Sequence, residues 1–96
     1  MTITELIADN MRQNLEWGYG PDYAKQAAVS SAVYTVLDAA GLEGYDTHTY
    51  WNTDVDFYAD FNQKPSPAVL CALELAVVSI WQATGVRVHL SCSQYF

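Results

Sequence analysis

The chain has 96 residues, 51% of them hydrophobic and 16% charged, with a formal net charge of -7 from 11 acidic and 4 basic residues. That length bounds a single compact domain, residues 1–96, able to bury most of its unfolded surface without metal or disulfide support. An average domain carries ~25% charged residues, so the acidity reflects scarce lysine and arginine. This scarcity argues against disorder and against direct binding to nucleic acid or an anionic membrane, where cations must meet phosphate.

Thr2 and Glu5 have capping-box spacing, and Ile3, Leu6, Ile7, Met11 and Leu15 then recur at helical intervals until Gly18, which predicts a first helix over 3–16. Pro21 suits the first turn of a second helix. Val29, Val33, Val36, Leu37 and Ala40 form its apolar stripe, and Gly41 is a left-handed cap at its end.

From Glu43 to Phe61 the period drops to two, because Tyr45, Thr47, Thr49 and Trp51 alternate with Asp46, His48 and Tyr50 before Val55, Phe57, Ala59 and Phe61 repeat the pattern. A hairpin follows, with Asn52-Thr53-Asp54 as its turn. A three-residue loop sets Trp51 opposite Val55, Tyr50 opposite Asp56, His48 opposite Tyr58 and Asp46 opposite Asp60.

Ser66 and Pro67 open a third, long apolar helix that Gly85 closes. Its wheel places Val69, Leu70, Ala72, Leu73, Val77 and Ile80 on the core side, while Leu75 and Val78 stand among Cys71, Glu74 and Gln82. The first two helices are expected to cover that greasy outer side, the alternative being an oligomer contact through Leu75 and Val78. Val86, Val88, Leu90 and Cys92 then alternate with Arg87, His89 and Ser91 in a last strand. The order α-α-β-β-α-β gives an α+β fold, expected as a three-stranded antiparallel sheet in the order 2-1-3 with helices packed on one face.

The candidate functional feature is acidic. Between Lys25 and Lys64 the chain holds Asp38, Glu43, Asp46, Asp54, Asp56 and Asp60 and no lysine or arginine. Same-face strand residues stand roughly 6.6 Å apart, so such a row steers a basic partner. With aromatic Tyr50 and Tyr58 beside it, the expected role is partner binding by Glu43, Asp46, Tyr50, Asp54, Asp56, Tyr58 and Asp60. The bland reading is a solvated face that guards a strand edge. A third makes Asp54, Asp56 and Asp60 ligands for Mg²⁺ or Mn²⁺ in a phosphoryl-transfer enzyme.

Other residues carry less. Cys71 and Cys92 have no metal-ligand spacing and read as small buried hydrophobes. The start MTITELIADN lacks the basic and apolar run of a secretion signal, so a reducing, cytoplasmic setting is expected. Strand order 2-1-3 would bring His48 near His89. Arg87 is expected to neutralise a neighbouring carboxylate, and Glu74, inside an apolar helix, to reach solvent or find a partner, a part that Arg12 or Lys25 could serve. Neither a nucleophile elbow nor a glycine-rich phosphate loop is present in the sequence.

In size and charge the chain resembles the compact acidic accessory proteins of phages and mobile elements that inhibit host defence nucleases or surveillance complexes. That resemblance implies an anti-CRISPR or anti-restriction kind of activity. The expectation is therefore a protein-binding module without catalysis, cofactor or metal, whose acidic and aromatic sheet face occludes a basic surface of a nucleic-acid-handling partner.

Overall fold

In the computed structural model, which describes residues 2–41, 47–61 and 65–92, the elements run α1 (Ile3–Glu16), α2 (Pro21–Ala39), β1 (Thr47–Trp51), β2 (Asp56–Phe61), α3 (Pro67–Thr84) and β3 (Arg87–Cys92). Local chemistry sets the helix ends. The Thr2 hydroxyl accepts from the Glu5 backbone N–H while the Glu5 carboxylate accepts from that of Thr2, closing a capping box. Ser66 caps α3 through the Val69 N–H, Pro67 follows in the first turn, and Gly85 ends the helix at φ 76°, a left-handed conformation that suits glycine.

The helices build a layer from small residues. Ala24, Ala28 and Ala32, spaced by four on α2, are completely buried together with Val29, Val33 and Leu37. An alanine stripe lets α1 approach closely, and Ile7 of α1 is buried in the same core. Leu15, expected on the inner side of α1, is instead about half exposed.

The sheet corrects the expected topology. Its order is β1-β2-β3, with β1 antiparallel to β2 and β3 parallel to β2, so it is a mixed sheet and not an antiparallel one in the order 2-1-3. The physical reason lies in β2, whose inward residues Phe57, Ala59 and Phe61 are all buried, each phenylalanine contributing roughly 1.5–3 kcal/mol by burial. In β1 the inward Thr49 and Trp51 are only half-buried, which suits an edge. β3 therefore adds beside β2.

The hairpin register also differs from expectation. Trp51 pairs with Phe57, Tyr50 with Tyr58, Thr49 with Ala59 and His48 with Asp60, a shift of two residues that keeps every side chain on its expected face. The longer loop is closed by the Asn52 N–H bonding to the Asp56 carbonyl at 3.0 Å, while the Thr53 hydroxyl accepts from the Val55 N–H and donates to the Asp56 carboxylate. Val55 thus belongs to the turn.

Residues of α2 and α3 meet Val88 and Leu90 around a void of about 10 Å³, too small to hold a ligand, so both helices lie on the inner face of the sheet. Only Leu73, Ala76 and Ile80 of α3 are buried. Contrary to expectation, α1 and α2 leave its outer side uncovered: Leu75 is 66% exposed, Val78 51% and Trp81 53%. Cys71 also faces solvent, correcting its reading as a buried hydrophobe, and so does Glu74, which needs no buried partner there. Arg12 pairs with Asp9 and Glu16 within its own helix.

Candidate functional site

Alternation assigns His48 and Tyr50 of β1, Asp56, Tyr58 and Asp60 of β2, and Arg87, His89 and Ser91 of β3 to the outer sheet face. Register then aligns three rings across the three strands. Tyr50 lies beside Tyr58 with ring centroids 5.2 Å apart and planes 6° off parallel; Tyr58 lies beside His89 at 4.5 Å and 19°. His48 leans on Tyr50 at 5.5 Å. The two histidines therefore stand on opposite outer strands with both tyrosines between them, and do not meet as the order 2-1-3 would have required.

Two polar clusters flank the ladder. The Asp56 carboxylate accepts from Arg87 Nη2 at 3.1 Å, with the Nε of the same guanidinium 3.0 Å from its other oxygen in an ion pair, and from His89 Nε2 at 2.9 Å. Since an ionised carboxylate only accepts, Nε2 carries the proton, leaving Nδ1 as the acceptor when the ring is neutral. The Thr53 hydroxyl adds a further bond at 3.0 Å. These donors, His89 foremost, hold the Asp56 carboxyl below the usual aspartate range against the opposing effect of burial. On the other side of Tyr58, Ser91 donates to Asp60.

The acidic row is thus broken up. Asp56 is matched by Arg87 and His89, Asp60 is bonded by Ser91, and Asp54 sits exposed in the turn and off the strand. Glu43 and Asp46, the other acids expected to bind a partner, lie outside the described residues. Arg87 does neutralise a neighbouring carboxylate, as its position in an acidic chain suggested. What the sequence reading missed is the place of His89 in the ladder; its outward parity, shared with Tyr50 and Tyr58, was the available signal.

Geometry also bears on chemistry. Asp56 and Asp60 are four strand residues apart, roughly 13 Å, with Tyr58 between them, too far for one hard cation to bridge. Among the described residues no group of three His, Cys, Asp or Glu side chains could hold a metal ion. Among the described residues a nucleophile for the His89–Asp56 pair is not assembled either, because Thr53 donates to Asp56 and Ser91 to Asp60. The face offers aromatic edges, a guanidinium–carboxylate pair and exposed polar tips: the materials of recognition.

Comparison with protein-family models, with curated proteins and with solved structures finds no match.

Proposed function

We propose that this chain is a non-enzymatic protein-binding module that docks its outer sheet face on a basic surface of another protein and occludes it. The observation that carries the reading is the Tyr50–Tyr58–His89 ladder, held in register by three strands on the face that α2 and α3 leave open. Tyrosine rings supply large contact area at little entropic cost, and their neighbours here already restrain them. The net charge of -7 favours encounter with a positive surface, and Asp54 and Asp60 add local charge.

A nucleic-acid-handling protein is the class of partner with such a surface, and inhibition of an anti-CRISPR or anti-restriction kind is one setting for the occlusion. Contact is aromatic at its centre and anionic at its margin. With Asp56 engaged by Arg87, a regular phosphate-like row of carboxylates is not part of the reading.

The test is retention of partners from the source organism's lysate on wild-type and Tyr58→Ser baits, washed from about 50 to about 300 mM salt, where the Debye length shrinks to ~6 Å. A basic protein held by the wild type, released by salt and lost with Tyr58→Ser while the circular dichroism is unchanged is the expected result. Equal retention by both baits contradicts the proposal. So does saturable Mn²⁺ binding by calorimetry that Asp56→Asn abolishes, which would favour the metal-dependent alternative.

A further inference from the structure

We infer that two copies of this chain associate through the edge of β3 that is left unpaired among the described residues, and the adjoining flank of α3, extending the sheet to six strands. The first observation is the direction of the β3 backbone. Arg87 donates its N–H to the Val55 carbonyl at 2.8 Å, and in a parallel ladder alternate residues turn both backbone groups to the same neighbour. Arg87, His89 and Ser91 therefore address β2, whereas Val88 and Leu90 direct N–H and C=O to the side where, among the described residues, no strand is paired. Natural edges are guarded by proline, lysine or a bulge. β3 has neither residue, and its two basic side chains, Arg87 and His89, lean back onto Asp56 of β2.

The second observation is what lies beside that edge. A groove of about 460 Å³ runs between α3 and β3, lined by Leu70, Glu74, Val77 and Val78 of the helix and by Val88, His89 and Leu90 of the strand. On the same flank of α3, Leu70, Val78 and Trp81 are 37%, 51% and 53% exposed, and Glu74 is the only charge in the whole helix. Together these side chains expose on the order of a few hundred Å² of apolar surface, the size of the largest patch on a typical monomer, which is often functional. Leu75 lies roughly 60° further round the helix than Val78, so the contact runs through Leu70, Val78 and Trp81 and leaves Leu75 at its margin.

A second copy is the occupant that meets both features at once. A two-fold axis normal to the sheet sets β3 antiparallel to its partner, so that each edge satisfies the other, and the same rotation brings the apolar flank of α3 against itself. Charge selects this surface as well. Copies bearing -7 each repel over most of their area, but least here, where Glu74 is the only charge of α3 and Arg87 of β3 is already paired with Asp56 of β2 on the outer face. The pairing uses the edge and not the outer face, so it stands independently of the proposed function.

Light scattering during size exclusion, combined with amide hydrogen exchange, tests this on the whole chain. The expected mass is twice 10.7 kDa at high concentration, with slow exchange at Val88 and Leu90. Val78→Glu, at an exposed site, should weaken association by roughly 30-fold or more and release those two amides while the fold persists. Trp81→Gln is a second variant with the same expected direction. A mass of 10.7 kDa up to the highest soluble concentration overturns the inference, as does a dimer indifferent to both variants or one whose Val88 and Leu90 amides exchange freely. A monomer that floats with zwitterionic phosphatidylcholine vesicles would assign the flank to lipid and also overturn it.

Discussion

Asp56 shows how one residue changes character with its neighbours. In isolation it is one more acid in an acidic stretch; in the sheet it accepts from Thr53, Arg87 and His89, and so ties the turn, β2 and β3 together. Its carboxyl titrates below the usual 3.8, so the unfolded chain takes up this proton first as pH falls. The stabilisation is complete above about pH 5 and is lost as pH drops through the folded-state value. Glu5 shifts in the same direction, chiefly because the Thr2 backbone N–H bonds its ionised form, so acid loosens the α1 cap as well. Urea denaturation of wild type and Asp56→Asn should show a stability gap at neutral pH that narrows as pH approaches 3, since protonated Asp56 can no longer pair with Arg87. A gap constant across that range would mean the ion pair does not contribute.

At the scale of elements, helices were legible and the sheet was only half so. Caps are local: Thr2 with Glu5, Ser66 with Pro67 and the glycines after each helix sit within a few residues of the groups they satisfy, and α1 and α3 begin and end where those residues place them. Gly85→Ala should therefore cost about 1–2 kcal/mol in equilibrium denaturation from the left-handed backbone alone, as no atom lies within 4 Å of the added Cβ. Ala28 makes the opposite case, a residue whose size matters because another helix lies on it. Completely buried, it should lose about 1–3 kcal/mol on replacement by leucine, measured the same way.

Strand pairing is not local. The period of two in β1, β2 and β3 told which side chains share a face, and that parity held even where the hairpin register moved by two. It did not tell which edge β3 would take, because alternation looks alike beside β1 and beside β2. The usable signal was the content of the inward positions, where β1 offers Thr49 and β2 offers Phe57 and Phe61. Misplacing β3 hid the neighbour of Arg87, and with it the fact that Asp56 was not free. The aromatic part of the site was in view at Tyr50 and Tyr58; His89 joined them only once β3 lay beside β2.

For the whole molecule, the two surfaces proposed above have a geometric relation. A two-fold axis normal to the sheet keeps both outer faces on the same side, so pairing through β3 would set the two ladders next to each other, His89 against His89 at the centre. A partner with two equivalent basic sites would then meet two contacts on one rigid platform, and linked contacts can raise apparent affinity by ~10² or more over a single one. This separates the two surfaces experimentally. Val78→Glu should lower apparent affinity for a captured partner at protein concentrations where the wild type is dimeric, yet leave the affinity unchanged where the wild type is diluted to monomer. Tyr58→Ser should remove binding at both concentrations, because it deletes the middle ring of each ladder. Surface plasmon resonance with protein injected above and below its dimer dissociation constant distinguishes these patterns, and equal losses for Val78→Glu at both concentrations would mean that the flank of α3 touches the partner directly.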